Sequence, residues 1–430
     1  MWRPETEAMT QEALQKLQTV RLRRLVRRLE SAVPFYRDRL RARGVAARNV
    51  RSLAYVQRLP FTTRTDLRDQ YPLGLLAVPP DQVARFHATS GSRGKPTLVA
   101  YTAQDLRTWS EFAARMLYAA GARPGDVWYV ASSYGLFSGG MGAHYGLERL
   151  GAAVVPVSSG NTLRLVQLMA DVGPAGIHCV PTYMLRIAEV AREAGIDPRH
   201  LGLRYGSYGG ETWSEPLRRR IEDLFGLEAY DVYGLAECYG PGVAYECETR
   251  DGLHLSEDQF LFEIVDPARG EPVPDGQEGE LVITTLTKQA MPLLRYRTGD
   301  LTRILSGTCS CGRTFRRMAR VSGRSDDMLI IRGVNLYPSE VERVLLGFPE
   351  VAAQHRLLVE RTGAMDSLTL EAEVPGLELP SDAADELSRR IRLRLRQELG
   401  VGAVIRLVAP GTLPRSEGKA ARVLDLRPKG

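Results

Sequence analysis

The order of apolar and polar positions in the first half of the chain predicts alternating strands and helices. Short apolar runs rich in β-branched residues alternate with longer stretches in which apolar residues recur at helical spacing. The runs are DVWYVASS, GAAVVPVSS and GIHCVPT, and the helical stretches are TAQDLRTWSEFAARMLYAAG, TLRLVQLMADVG and YMLRIAEVAREAG. Strands separated by helices pair in parallel. The pattern therefore predicts an α/β fold with a parallel sheet.

The pattern changes after residue 245 and again near residues 324–327. Residues 261–286 contain short apolar strands separated by Pro-Asp-Gly and Glu-Gly turns, which predicts a small antiparallel β-subdomain. The last part has short strand-like runs and the long helical stretch ADELSRRIRLRLRQELG, which predicts a compact α+β domain of about 100 residues. We therefore predict a large N-terminal domain over residues 1–324 and a small C-terminal domain over residues 325–430.

Composition indicates a folded globular protein. The 430 residues are 44% hydrophobic and 25% charged, and the formal net charge is only +6, so we expect no nucleic-acid partner. No apolar run approaches the roughly 18 residues that span a bilayer, and the acidic, polar start lacks the order of a signal peptide. Five cysteines, an odd number, fit a reducing compartment. We predict a cytoplasmic protein without a membrane association.

A basic segment stands out near the N-terminus. Residues 21–43 carry nine arginines against Glu30 and Asp38, with leucine and valine at helical spacing between them, which predicts one amphipathic basic helix. Such a helix covers the main domain with a solvated face, or it attracts an anionic partner such as a phosphorylated cofactor or an acidic carrier protein. It also makes a homodimer plausible.

Lysine is rare in this chain, and two lysines lie in segments suited to phosphate chemistry. Only five of the 57 basic residues are lysines; Lys95 ends the glycine-rich TSGSRGK, and Lys419 lies in PRSEGKAARV. Arginine cannot replace a compact ammonium between a carboxylate and a phosphate. The glycine-rich segment offers close backbone amides and polar side chains to a polyphosphate. It is not a standard P-loop, because Lys95 precedes Pro96, and taken alone it could be a plain hairpin turn.

Four further motifs follow in order: YDVYGLAE, LLRYRTGDL, GRSDDMLIIRGVNLYP and LPRSEGKAARV. Together with the glycine-rich segment they resemble the adenylate-forming ligase superfamily. YGLFSGGMGAHYG, PVSSGNT and TLTKQAMPLLRYRTGD are similar to its phenylacetate-CoA ligase branch. The resemblance covers roughly residues 20–430.

The resemblance implies a large adenylation domain, a small mobile C-terminal domain and a reaction in two steps. An aromatic carboxylic acid would attack Mg-ATP to give an acyl-adenylate and pyrophosphate, and the thiol of coenzyme A would then displace AMP. An alternative acceptor is the phosphopantetheine thiol of a carrier protein. A catalytically idle nucleotide-binding protein is a third possibility, which the intact Lys419, Glu237 and Asp300 oppose.

The resemblance also implies residue roles. Lys419 and Glu237 would be catalytic, Lys419 at the carboxylate and α-phosphate and Glu237 as the magnesium ligand. Asp326 would be the hinge of the small domain. The nucleotide-binding residues would be Thr89, Ser90, Gly91, Ser92, Gly94, Lys95, Glu211, Asp231, Tyr233, Asp300 and Arg324.

The acyl pocket is expected among aromatic residues and glycines that allow a flat ring to approach closely. Its residues would be Tyr134, Phe137, Gly140, His144, Ser207, Tyr208, Gly209 and Gly234. An aromatic acid is favoured, but no residue selects a particular one. His144 could instead be a structural histidine.

The cysteines provide a separate hypothesis. Cys247, His254, Cys309 and Cys311 are four ligands suited to tetrahedral zinc, although the C-x-C spacing is tighter than in a usual zinc knuckle. Buried free thiols are the alternative. A zinc ion held by all four would be structural, because no position is left for water. Cys179 and Cys238 are expected to be packing residues.

Overall fold

The computed structural model describes residues 1–89, 96–158, 160–325, 328–331, 334–362, 365–376, 378, 381–414 and 422–427. Seven of the predicted site residues lie outside these ranges: Ser90, Gly91, Ser92, Gly94, Lys95, Asp326 and Lys419. Among the described helices none is long and apolar enough to cross a membrane.

The described α-helices are α1 (Pro4–Glu7), α2 (Gln11–Ala32), α3 (Pro34–Ala42), α4 (Arg64–Asp69), α5 (Ala103–Ala119), α6 (Ser138–Leu150), α7 (Thr162–Val172), α8 (Pro181–Glu193), α9 (Glu215–Phe225), α10 (Pro338–Leu345) and α11 (Asp382–Leu399). The described strands are β1 (Val83–Ala88), β2 (Leu98–Thr102), β3 (Val127–Val130), β4 (Ala153–Val155), β5 (Gly176–Cys179), β6 (Tyr205–Gly209), β7 (Glu228–Leu235), β8 (Gly240–Tyr245), β9 (Leu253–Leu255), β10 (Phe260–Val265), β11 (Gly279–Thr285), β12 (Tyr296–Thr302), β13 (Ile304–Leu305), β14 (Arg317–Met318), β15 (Gly323–Arg324), β16 (Leu329–Ile331), β17 (Val334–Leu336), β18 (His355–Thr362), β19 (Met365–Glu373), β20 (Val404–Val408) and β21 (Val423–Asp425).

The central sheet has the strand order β13-β14-β9-β8-β7-β6-β5-β3-β4. The five strands from β7 to β4 pair in parallel, and β8, β9, β14 and β13 continue the sheet in antiparallel pairs. Helix α5 precedes the first parallel strand, β3, and helices α6 to α9 connect the parallel strands. This arrangement confirms the predicted α/β fold and places the ends of β6 and β7 side by side.

Two smaller sheets complete the fold. The antiparallel sheet β10-β11-β12-β15 is the predicted β-subdomain. The mixed sheet β20-β19-β18-β21 packs with α10 and α11 around its own apolar core, as the predicted α+β domain requires. The boundary between residues 324 and 325 stays a prediction.

The predicted basic helix over residues 21–43 is wrong as a single element. It is formed by α2 and α3, separated at Val33, whose backbone is extended (φ −117°, ψ 106°). Pro34 lacks an amide hydrogen and disfavours helical conformation in the residue before it, so it begins a new helix. The apolar face of α2, which includes Leu22, Val26 and Leu29, is buried against the large domain.

The small domain contacts the large one through α9 and α10. The Ser214 hydroxyl, at the N-cap of α9, donates to Glu342 of α10 over 3.5 Å, and Arg220 of α9 donates to the Val351 carbonyl over 2.9 Å. Ala353 packs into the apolar core below α9. Leu346, which follows α10, also packs against this core, so polar contacts and two apolar residues form this part of the domain interface.

Candidate functional site

The predicted magnesium ligand Glu237 lies in a tight turn between β7 and β8. Tyr239 has φ 91° and Gly240 has φ 135°, and such positive φ values are rare for residues with a side chain. A Cβ atom at Gly234 would lie 2.0 Å from the Gly240 carbonyl oxygen, so the two strands approach too closely for any other residue there. Strained backbone of this kind persists only where its surroundings hold it.

Lys288 and Tyr101 support this turn through hydrogen bonds to its backbone carbonyl groups. The Lys288 ammonium donates to the Glu237 carbonyl over 3.1 Å and lies 4.3 Å from the centre of the Tyr101 ring. The Tyr101 hydroxyl is within hydrogen-bond distance of the Tyr239 carbonyl, 2.8 Å away. Lys288 is only 2% exposed, and its burial lowers its pKa to about 8. Lys288 is not among the site residues predicted from the sequence, although the scarcity of lysine is a signal that points to it.

The Glu237 carboxylate is half-buried and accepts a hydrogen bond from the Tyr296 hydroxyl over 3.3 Å. A carboxylate can accept several further contacts, and its hard oxygen atoms suit Mg²⁺. Because Tyr296 begins β12, the contact ties the turn to the strand that carries Asp300.

Tyr233, Asp300 and Arg324 are brought together by three different strands. The Tyr233 hydroxyl donates to Asp300 over 2.6 Å, and the Arg324 guanidinium pairs with the other oxygen of the same carboxylate. Arg324 lies opposite Asp300 where β15 pairs with β12, and it also donates to the Thr298 carbonyl over 2.9 Å. The result is a fixed, charged carboxylate that suits a hydroxyl-rich ligand such as ribose.

Asp231 has partners of its own within the protein. Its carboxylate accepts a hydrogen bond from the Trp213 indole over 2.9 Å and lies 3.4 Å from Arg320. Its backbone amide donates to Glu246 over 2.7 Å, so two carboxylates share one buried region. Burial raises the pKa of Asp231 to about 6.

The other predicted nucleotide residues with described positions lie at loop ends. The Glu211 carboxylate accepts a hydrogen bond from the Thr182 amide over 2.8 Å, at the N-terminus of α8. The Thr89 hydroxyl accepts one from the Thr97 amide over 3.1 Å, and the Thr89 amide donates to the Thr97 carbonyl over 3.0 Å. These two hydrogen bonds join the residues on either side of the segment that contains the predicted phosphate-binding residues.

Four of the residues predicted for the acyl pocket, Tyr134, Phe137, Gly140 and His144, lie in or just before α6. The Tyr134 hydroxyl lies 3.1 Å from His144 Nδ1, and His144 Nε2 lies 3.2 Å from Glu148. Phe137, at the N-cap of α6, is 45% exposed. A Cβ atom at Gly140 would lie 2.9 Å from two backbone carbonyl oxygens, so glycine allows the helix to approach the loop after β3.

Three of the remaining acyl-pocket predictions lie on β6, where successive side chains point to different faces of the sheet, and the fourth, Gly234, lies on β7. Ser207 is buried, and its hydroxyl lies 3.2 Å from Nδ1 of His178. Tyr208 packs in the core against Trp213, with ring centres 5.6 Å apart. A Cβ atom at Gly209 would lie 2.4 Å from the Val232 carbonyl oxygen. The structure thus places Tyr208 in a different core cluster from the one that Tyr134 contacts.

The four predicted zinc ligands come together from two segments that are distant in sequence, residues 247–254 and 309–311. Their ligand atoms, from Cys247, His254, Cys309 and Cys311, all lie within 4.8 Å of one another. Cys247 Sγ is 3.7 Å from Cys309 Sγ, and Cys311 Sγ is 3.4 Å from His254 Nε2. Tetrahedral zinc with usual bond lengths has S–S edges of about 3.7 Å and S–N edges of about 3.5 Å.

Comparison with known proteins gives the family. The sequence model of AMP-binding enzymes matches residues 12–288, and that of the AMP-binding enzyme C-terminal domain matches residues 333–427. The chain belongs to the AMP-binding enzyme family. The predicted resemblance to adenylate-forming ligases is therefore confirmed.

Two curated relatives of this AMP-binding enzyme match along its whole length. The phenylacetate-coenzyme A ligase of Thermus thermophilus is 49% identical over 443 residues, which cover 99% of this chain and 100% of the relative. The phenylacetate-coenzyme A ligase of Escherichia coli is 47% identical over 425 residues, which cover 98% of this chain and 97% of the relative.

A solved relative, 2-hydroxyisobutyryl-CoA ligase, is similar in three dimensions. In its postadenylation state with an acyl-AMP bound, it matches with a TM-score of 0.93 at 33% identity, covering 98% of this chain and 91% of the relative. In its thioesterification state with CoA, the TM-score is 0.74 at 34% identity, covering 99% and 92%. The AMP-binding enzyme described here is therefore closer in domain arrangement to the postadenylation state.

Proposed function

We propose that this enzyme is an aryl-acid CoA ligase that acts on phenylacetate or a close relative of it. It activates the acid with ATP as an acyl-adenylate, releases pyrophosphate, and transfers the acyl group to coenzyme A with release of AMP. The single observation that supports this most strongly is the 49% identity to a phenylacetate-coenzyme A ligase over the full length of both chains. A carrier protein as acceptor is not favoured by these relatives.

The site residues that we propose fit the chemistry of adenylation. A carboxylate is already a nucleophile at neutral pH, so this step requires alignment and charge neutralisation rather than a general base. Asp300, fixed by Tyr233 and Arg324, would accept hydrogen bonds from the ribose hydroxyls. Glu237 would hold Mg²⁺, which would neutralise the phosphate oxygens when bound.

The residues that would contact the reacting phosphates lie outside the described ranges. We propose that Ser90, Gly91, Ser92, Gly94 and Lys95 hold the β- and γ-phosphates and that Thr89 fixes the start of their loop. Lys419 would bridge the acid and the α-phosphate. Asp326 would be the pivot about which the small domain rotates between the two steps.

We place the aryl ring near the start of α6. Tyr134 is positioned there by its contact with His144, and the half-exposed Phe137 offers an apolar face. Asp231 and Glu211 would shape the adenine side of the site through Trp213 and the N-terminus of α8. A homodimer and a cytoplasmic location stay predictions.

The test is a substrate panel. ATP–pyrophosphate exchange is measured with phenylacetate, benzoate, anthranilate and an aliphatic acid of similar size, and each active acid is then offered coenzyme A and a phosphopantetheinylated carrier protein. We expect phenylacetate to give the highest kcat/KM and coenzyme A to be the acceptor. Preference for the aliphatic acid, or transfer only to the carrier protein, would overturn the proposal.

We also propose a structural zinc ion bound by Cys247, His254, Cys309 and Cys311. The edge lengths match tetrahedral coordination, and the Nδ1 atom of His254 is 3.1 Å from the Phe315 carbonyl, which fixes the ring with Nε2 toward the thiols. The N-terminal segment covers this loop, because Glu7 forms a buried ion pair with Arg313 over 2.7 Å. Zinc would join β9 and the loop after β8 to the segment before β14.

Removal of this metal is expected to lower stability before it affects nucleotide binding. Chelation, or Cys311→Ser, should lower the melting temperature by about 5 °C or more, because metal binding is coupled to folding. Metal content and thermal denaturation check this, and the KM for ATP should be unchanged in the fraction that stays folded. Cys179→Ser, in the core of the parallel sheet, is the control that should keep the metal. Protein purified without chelator that contains no zinc would contradict the proposal.

A further inference from the structure

We propose that the large domain has a second anion site, which binds a phosphorylated small molecule. The site is a cavity of about 570 Å³ between α2, α5 and the segment after β11, here called the basic cavity. Its size is within the usual range for small-molecule sites. Six cationic side chains line it: Arg21, Arg24, Arg28, Arg107, Arg149 and Lys288.

The basic cavity is formed by elements that are separate in sequence. Arg21, Arg24 and Arg28 are spaced three and four residues apart and therefore share one face of α2. Arg107 belongs to α5, and Arg149 lies in the last turn of α6. The fold thus brings together arginines that are spread over 129 positions of the sequence, from 21 to 149.

The lining has a large excess of positive charge. Among its described residues the acidic one is Glu111, and Glu111 is already paired with Arg149 over 2.6 Å and with Arg3 over 2.7 Å. Within the described part of the chain, Arg28 donates to a backbone carbonyl, that of Gln289, over 3.2 Å. Exposed arginines such as Arg24 therefore face the cavity beside other cations. A concave surface lined by one sign of charge concentrates ions of the opposite sign.

Two groups that line the basic cavity have a lowered pKa. Burial lowers the pKa of the half-buried Arg21, the neighbouring Arg24 and Arg115 lower it further, and Asp258 opposes this shift. By contrast, Arg115, paired with the Asp258 carboxylate over 2.8 Å, has its pKa raised. Burial likewise lowers the pKa of Lys288 to about 8. An anion in the basic cavity would offset the repulsion between Arg21 and Arg24.

Phosphate is the anion that this geometry favours. Guanidinium groups bind phosphate oxygens through two parallel hydrogen bonds, and several of them around one cavity suit more than one phosphate group. The volume of about 570 Å³ matches a small-molecule partner. We infer an oligophosphate or a nucleotide with two or more phosphates. Lys288 belongs both to the basic cavity and to the Glu237 turn, so bound phosphate would lie next to that turn.

The test is equilibrium binding to the full chain by calorimetry, with pyrophosphate and adenosine 3′,5′-bisphosphate as probes. Arg24→Gln/Arg107→Gln removes two exposed cavity arginines, and Arg27→Gln, an exposed arginine of α2 outside the cavity, is the matched control. We expect the double variant to bind at least one probe about tenfold or more weakly. The control should bind both probes as the wild type does. The ratio of the dissociation constants of the two probes shows whether the site prefers an oligophosphate or a nucleotide.

The KM for ATP in pyrophosphate exchange separates this site from the nucleotide site. It should change by less than about twofold in the double variant, because neither arginine is among the proposed nucleotide residues. Equal melting temperatures exclude a folding defect. If the double variant and Arg27→Gln bind both probes equally well, all binding occurs elsewhere and the proposal is overturned. This result would leave the proposed ligase activity untouched.

Discussion

Replacement of Lys419 with alanine is expected to abolish acyl-adenylate formation while leaving thioester formation from preformed adenylate largely intact. The ammonium would stabilise negative charge that develops between the acid and the α-phosphate only in the first step. We expect ATP–pyrophosphate exchange to fall by about 100-fold to 1,000-fold, the usual effect of losing one such charge stabiliser. Single-turnover assays of the two half-reactions, started from ATP and from synthetic acyl-adenylate, measure this split.

Two further variants control the Lys419 experiment. Lys419→Arg keeps the charge but should not restore exchange, because a planar guanidinium does not replace a compact ammonium. Lys16→Ala removes an exposed lysine that pairs with Glu12 one helical turn away, and it should change neither step. An equal loss in both half-reactions for Lys419→Ala would contradict the assigned role.

Lys288→Met is expected to lower the rate of adenylation without lowering stability. The methionine keeps an apolar stem of similar length but cannot donate to the Glu237 carbonyl, so the magnesium-binding turn loses one of its supports. A buried charged hydrogen bond contributes about 1.5–3 kcal/mol, which corresponds to roughly 10-fold to 150-fold in rate if it is all expressed in the transition state. The concentration of Mg²⁺ that gives half-maximal exchange should rise.

Stability distinguishes positioning by Lys288 from a merely structural role. Burial lowers the pKa of Lys288 to about 8 from 10.5, so the folded state disfavours the ammonium at neutral pH. The unfolding free energy of the wild type should therefore rise between about pH 8 and pH 10.5, where the folded state releases the proton first, and Lys288→Met should lack this rise. Melting curves across this range test it, with Lys16→Met as control. A variant that melts earlier than wild type at pH 7 would contradict the prediction.

The secondary structure could be predicted well where one physical signal dominated. The helix Ala103–Ala119 follows Thr102, whose side chain caps the helix together with Asp105 in a Thr-x-x-Asp capping box. The parallel strands were identified by their continuous apolar runs, since both faces of such strands are buried. The periodicity of residues 21–43 does not show the break at Pro34, which the proline itself imposes because it disfavours helical conformation in Val33.

The site was predictable only where residue type and motif order agreed. Tyr233, Asp300 and Arg324 each belong to a different motif, and the structure brings them within hydrogen-bond distance. Lys288 lies in the segment TLTKQAMPLLRYRTGD, which indicates the branch but assigns no role to its lysine. The position of Lys288 depends on how the segment after β11 packs onto Tyr101 and Asp105, which lie 183 or more positions earlier in the chain. No local sequence pattern encodes a contact between residues so far apart in sequence.

The contact between α9 and α10 has a practical use. It joins the two domains through the Ser214 and Arg220 hydrogen bonds and the packing of Ala353, so a rotation of the small domain would separate the helices. Fluorescent dyes on their exposed faces would then sense that separation as a change in energy transfer. Single-molecule measurements would follow the alternation between the two domain arrangements. The time spent in each arrangement would give the rate of domain rotation during turnover without a chemical assay.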